Sequence, residues 1–141
     1  MTSVLQEQMA IIAEFEAFSD WEERYKHLIA LGRKLEGLPS ELQIDEHKVR
    51  GCSSSVWLVA EPGANGSVHF RADSDAVLVR GLVALLLRVY NDRSPQEIIT
   101  NEPAFIEELG LNTQLSANRA NGLSAMVARI KAVAAGFSQS P

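Results

Sequence analysis

The stretch from Ser54 to Tyr90, SSVWLVAEPGANGSVHFRADSDAVLVRGLVALLLRVY, reads as two strands followed by a helix. Ser54 to Ala60 is rich in β-branched and aromatic side chains, and Val68-His69-Phe70-Arg71 alternates apolar with polar, so both predict strands. Between them, Pro62-Gly63-Ala64-Asn65-Gly66 supplies the Gly and Asn residues that accept the positive φ angles of a hairpin connection. An antiparallel hairpin follows from that pairing. Asp73-Ser74-Asp75 then offers side-chain oxygens as N-caps for a helix over Ala76 to Tyr90. Because this helix is apolar nearly all round, it belongs centrally, packed against the sheet.

Outward from this stretch the chain is helical on both sides. Val4 to Phe18 carries Met9, Ile12, Ala13 and Phe15 at helical spacing, and Ser19 with Glu22 forms the Ser-x-x-Glu pattern of a capping box. A second helix therefore runs through Trp21, Tyr25, Leu28, Ile29 and Leu35. Its acidic start (Asp20, Glu22, Glu23) and basic end (Arg33, Lys34) match the helix dipole. On the far side, Ser94-Pro95-Gln96-Glu97 opens a short helix with proline where its missing N–H costs nothing, and Asn118 to Phe137 supplies the last helix. Helices, then strands, then helices again predict an α+β fold, a small antiparallel sheet with helices packed on one face. No repeat or Pro/Gly-rich linker divides the chain, so one domain over residues 1–141 is expected.

Composition narrows the function classes. With 141 residues and 46% hydrophobic content the chain can bury a real core, and a net charge of -5 disfavours nucleic acid, whose phosphates need a surplus of Lys and Arg. The N-terminal stretch lacks the basic start, apolar run and small cleavage residues of a signal peptide. The longest apolar stretch, Ala76 to Tyr90, is broken by Arg80, Gly81 and Arg88 and falls short of the roughly 20 apolar residues of a membrane span. A single cysteine forms no internal disulfide, which fits a reducing cytoplasm.

That cysteine, Cys52, sits in Val49-Arg50-Gly51-Cys52-Ser53-Ser54-Ser55-Val56-Trp57, where an irregular segment meets the first strand. Gly51 lets the backbone turn or come close to another protein, and the small serines leave the sulfur accessible. If Lys48 to Ser54 is extended, Lys48, Arg50, Cys52 and Ser54 share a side, and two cations then favour the thiolate, which is the nucleophile. Gly51 is where that alternation would break. On the residues alone two readings stand: a reactive thiol, or a cysteine packed as a small hydrophobe.

At these residues the chain resembles the SufE family of sulfur acceptors, including its CsdE branch, over nearly its whole length. Gly51-Cys52-Ser53-Ser54-Ser55-Val56-Trp57 fits the family's Gly-Cys-x-x-x-Val-Trp signature around the persulfide-forming cysteine. Supporting blocks follow in family order: Trp21-Glu22-Glu23-Arg24-Tyr25, Asp73-Ser74-Asp75 with Val79-Arg80-Gly81-Leu82, and Leu115-Ser116-Ala117-Asn118-Arg119 before Gly122-Leu123. Asn118 departs from the serine that many relatives carry before the arginine. The resemblance implies a fold like that of the NifU and IscU scaffold proteins. It further implies a cytoplasmic, non-enzymatic carrier whose Cys52 takes persulfide sulfur from a cysteine desulfurase of the SufS or CsdA type and stimulates it. The carrier then passes sulfur on for iron–sulfur cluster assembly or related trafficking. PLP belongs to the desulfurase, and no cofactor or metal to this chain; the downstream partner is a sulfur acceptor or cluster scaffold, and a homodimer is left open. Gly51, Arg50, Asp75 and Arg119 are the candidates for partner binding or loop support. Protection and delivery of the sulfur conflict, so the Cys52 loop is expected to adopt a tucked and an extended arrangement.

Three rivals use the same residues. An iron–sulfur scaffold needs several thiolates where this chain has one. A cysteine hydrolase needs a base, for which His47 is available, but no oxyanion-hole signature accompanies it. An interaction module with an incidental cysteine would stimulate a desulfurase even as Cys52→Ser. His27, His47 and His69 lack metal-ligand spacing, Trp21 and Trp57 read as packing aromatics, and Asp73 and Asp75 read first as caps.

Overall fold

The computed structural model describes residues 3–138; Met1 and Thr2 of the N-terminal stretch read above lie outside that range. Helix α1 (Val4–Glu16) starts at a true capping box, in which Ser3 Oγ accepts from Gln6 N at 3.1 Å and Gln6 Oε1 accepts from Ser3 N at 2.9 Å. Its buried face is Val4, Gln8, Ile11 and Phe15, while Met9 is 61% exposed, so the face is rotated from the one apolar spacing suggests. The reason is Gln8. Its amide donates to Glu102 O at 3.0 Å and accepts from Phe105 N at 2.9 Å, so a polar residue fills the core-facing position with both needs met.

Helix α2 (Trp21–Lys34) is capped by Asp20, whose carboxylate accepts from Glu23 N at 2.9 Å, and not by Ser19. Two overlapping capping frames exist in the sequence, and the structure takes the one that also puts a negative charge at the positive helix end.

Strands β1 (Val56–Pro62) and β2 (Val68–Ser74) form the antiparallel hairpin, in register from Val56 opposite Ser74 to Pro62 opposite Val68. Asn65 (φ 58°) and Gly66 (φ 78°) turn the chain, as their composition requires. Isolated bridges extend the ladder on both edges, Lys48 to Trp57 and Val68 to Arg93. Val56, Leu58, Phe70 and Ala72 are buried on the inner face, against α3 (Val77–Tyr90) and the later helix α7 (Ala117–Ser138). Full burial of side chains such as Phe70, Leu82 and Leu86 stabilises by about 1.5–3 kcal/mol each.

The expected caps of α3 do other work. Strand β2 runs on through Ser74, and the residue before α3 is Ala76, which offers no side-chain cap. Asp73 pairs instead with Arg80, and it also accepts from Leu38 N at 3.0 Å and Ser74 N at 2.7 Å. Arg80 in turn donates to the carbonyls of Gly32 (2.9 Å) and Leu35 (2.6 Å) at the end of α2. One buried ion pair thus ties β2, α3 and the segment after α2 together. Helices α2 and α3 cross where both lack side chains: a Cβ on Gly81 would stand 2.1 Å from Leu28 O, and one on Gly32 2.3 Å from Val77 O.

The remaining helices are α4 (Pro95–Thr100), with Ser94 as cap and Pro95 in its first turn, α5 (Ala104–Glu108) and α6 (Leu111–Gln114). Among the described residues no helix is long and apolar enough to cross a membrane.

Candidate functional site

The segment between Lys48 and Val56 is a loop whose two ends are fixed to the sheet. At one end Val49 N donates to Val56 O at 2.8 Å, beside the bridge from Lys48 to Trp57, and the Val49 side chain is buried in the core. At the other end Ser55 N donates to Asp75 Oδ1 at 3.2 Å, and Ser55 O accepts from Ser74 Oγ at 2.7 Å and Asp75 N at 3.3 Å. Asp73-Ser74-Asp75 therefore serves chiefly the loop and the ion pair, with only Ser74 Oγ reaching the helix start, where it accepts from Ala76 N at 3.3 Å.

Between these ends the tip turns at Gly51, whose φ of +93° is a left-handed value that other residues rarely adopt. That turn sends Cys52 inward. Its Sγ lies 3.5 Å from the carbonyl oxygen of Gly122 in α7 and donates to it, with the side-chain-free face of Gly122 next to the sulfur. Beside it is a small space of about 10 Å³, lined by Val56, Val79, Leu82, Met126, Asn118 and Arg119 as well as the loop. This is room for a single atom of water size. Cys52 is half-buried, and burial pushes its thiol pKa up from the ordinary value.

The thiolate is therefore not favoured in this arrangement, contrary to the expected side shared by Lys48, Arg50, Cys52 and Ser54. Gly51 breaks the alternation, Arg50 goes to solvent, and the Lys48 ammonium pairs with Asp45 at 3.6 Å. Arg119 is exposed near the start of α7, its backbone N–H donating to Ser116 Oγ at 3.3 Å, and it lines the space next to the sulfur. Asp75 is exposed and acts on the loop through Ser55. His47 donates its Nδ1–H to Leu42 O at 2.7 Å, His27 faces Glu14 at 2.6 Å, and His69 faces Asp92 at 2.8 Å. Among the described residues no group of three or more His, Cys, Asp or Glu is placed to hold a metal ion. Trp21 packs against the core, and Trp57 is part-buried with its indole N–H unpartnered.

Gly122, Met126, Val79 and Leu82 form the seat of the sulfur, and no chemistry-bearing residue type announces them. Gly122, Val79 and Leu82 fall within the blocks that resemble the family, and the physical signal among them was a glycine inside a helix, which costs stability unless something approaches closely there.

A family model described as "SufE: Fe-S metabolism associated domain" matches residues 9–134. The chain is 41% identical over 113 residues to the "Sulfur acceptor protein CsdE" of Escherichia coli (strain K12), covering 79% of this chain and 77% of that protein. In three dimensions it resembles the solution structure of a hypothetical protein from Thermus thermophilus, with a TM-score of 0.77 at 20% identity, over 95% of this chain and 97% of the other, which speaks to the fold. A helix–hairpin–helix architecture that seats one cysteine against its last helix, together with the match over most of the chain, places this protein in the SufE family.

Proposed function

We propose that the protein is a sulfur acceptor that receives sulfane sulfur from a cysteine desulfurase on Cys52. The observation that carries the reading is the position of Cys52, the one cysteine of a SufE-family chain, at the tip of a loop fixed to the sheet at both ends. In the transfer, the Cys52 thiolate attacks the outer sulfur of the donor's cysteine persulfide. A new Sγ–S bond forms, the donor's S–S bond breaks, and the electron pair leaves on the donor cysteine, which becomes a thiolate. No net oxidation occurs.

The seated thiol is protonated and screened, so attack requires the tip to leave Gly122, shed its desolvation and ionise. Return to the seat then shelters the persulfide from oxidants and stray thiols. The proposed donor is a PLP-dependent enzyme of the SufS or CsdA type in a reducing cytoplasm, and the cargo goes on to a further acceptor or cluster scaffold. Arg50 and Asp75 are exposed beside the loop, Gly51 makes its turn and Arg119 lines the space next to the sulfur, and on that ground we assign the four to docking or loop support. The test is desulfurase turnover with saturating wild-type chain and with Cys52→Ser. Stimulation that vanishes with the thiol supports an acceptor; stimulation that survives makes the protein a docking module with an incidental cysteine.

A further inference from the structure

The Cys52 loop runs along α7 in the reverse direction, and three residues on one stripe of the helix meet it in turn. Gly122 lies under Cys52, its carbonyl oxygen 3.5 Å from Sγ. Ala125 lies under Gly51, close enough that a methyl placed on Gly51 would come within 3.2 Å of the Ala125 methyl. Arg129 donates from Nη1 to the carbonyl oxygen of Lys48 at 3.3 Å. Spacings of three and four residues keep these positions on one helix face, so α7 presents a gap, a methyl and a cation to successive points of the loop. The cation meets the chain where it leaves the sheet, at the very peptide whose Val49 N–H donates to Val56 O on its other side. Arg129 is part-buried, where a charged donor holds a carbonyl more firmly than a neutral one does.

We propose that Arg129 is a positioning residue for Cys52, fixing the Lys48 carbonyl so that the loop tip rests on Ala125 and Gly122. It does not touch the sulfur. It holds the pivot on the Val49 side, while Asp75 and Ser74 hold the Ser55 side, and the thiol reaches its seat when both are in place. Loss of the Arg129 bond leaves the Lys48–Val49 peptide held only on its sheet side, by Val49 N–H to Val56 O, so the loop beyond it is no longer tied to α7 and the share of molecules with Cys52 in water rises. For one charge-assisted bond at a part-exposed site, that share should rise roughly three- to tenfold. The biological meaning of the inference rests on the acceptor reading; its measurement does not.

The test is iodoacetamide alkylation of the free full-length protein, followed by intact mass, for wild type, Arg129→Gln and Arg129→Lys. Arg129→Gln should react roughly three- to tenfold faster. The midpoint of its pH profile should move down toward the ordinary thiol value, and Arg129→Lys, which keeps the charge but not the fork, should fall between the two. The gain should hold in low urea without growing, because loop release exposes little surface, whereas exposure through global unfolding climbs steeply with denaturant. An unchanged rate and midpoint in Arg129→Gln overturns the proposal, and so does a gain that tracks urea. Should Arg129→Gln fail to fold, Arg129→Lys decides: faster than wild type supports the positioning role, equal to wild type removes it. No desulfurase is present, so a chain that never accepts sulfur could still pass this test, and a working acceptor could still fail it.

Discussion

The Cys52 thiol points back onto the carbonyl oxygen of Gly122, 3.5 Å away, so the reactive atom of a surface loop is seated against the helix that closes the fold. The position without a side chain lies directly beneath it. A Cβ added at Gly122 would stand 3.5 Å from Sγ and 3.8 Å from Cys52 Cα, which is ordinary contact and not a clash.

Gly122→Ala should therefore be tolerated. Replacing a glycine inside a helix should add about 0.5–1 kcal/mol to stability, and the extra methyl should slow alkylation of Cys52 by closing the seat around it. Urea unfolding and alkylation kinetics check the two halves; a loss of stability would show that the seat has no spare room.

Gly81→Ala should behave in the opposite way. Its Cβ would stand 2.1 Å from Leu28 O, a backbone atom that cannot rotate aside, so α2 and α3 must separate. Overpacking costs typically about 1–3 kcal/mol, and because the backbone has to move here chemical denaturation should show a loss at or above the top of that range. A cost under about 1 kcal/mol would mean that the two helices are not locked at this crossing.

Asp73→Ala and Arg80→Met should each destabilise by about 3–5 kcal/mol, because each strands a charged partner in a largely buried place. The double variant should cost clearly less than the sum. A double-mutant cycle by urea unfolding measures the coupling, and additive losses would mean that the two residues act separately.

Acid should weaken the contact between α1 and the two helices beside it. Burial opposes the charge on Glu14, but its hydrogen bond to His27 and the guanidinium of Arg88, 3.1 Å away, outweigh that and hold its carboxyl below the ordinary value. A carboxyl depressed in the folded state contributes stability that is complete above the unfolded value, near pH 4–5, and is lost as pH falls through the folded one. The stability gap between wild type and Glu14→Gln should accordingly narrow as pH drops through the acid range. A gap that stays constant in urea titrations down to low pH would contradict this.

Much of this was legible because local chemistry and global packing agree. The hairpin followed from Asn65 and Gly66, whose positive φ angles are those observed, and the central place of α3 followed from a helix apolar nearly all round. Two of the misreadings come from a polar side chain claimed by partners outside its own element. Gln8 is buried because it serves Glu102 and Phe105, and Asp73 leaves the cap of α3 because Arg80 and Leu38 compete for it. Ser19 lost the cap of α2 to its neighbour Asp20, a choice between adjacent frames that pattern alone does not make.

The site divides in the same way. Cys52 and the turn at Gly51 could be read from a few adjacent residues. Arg129, 77 positions after Cys52, could not, because only the path of the loop along α7 brings it to Lys48. The expected cationic help for the thiolate failed at Gly51, whose turn sends Cys52 inward and leaves burial to push its pKa up.

The central claim is that Cys52 carries sulfur, and intact mass after incubation with a cysteine desulfurase, PLP and cysteine tests it most directly. The account predicts a gain of one sulfur atom that a thiol reductant removes and that Cys52→Ser abolishes. A chain whose mass never changes with any competent donor, or a gain that persists in Cys52→Ser, would contradict it.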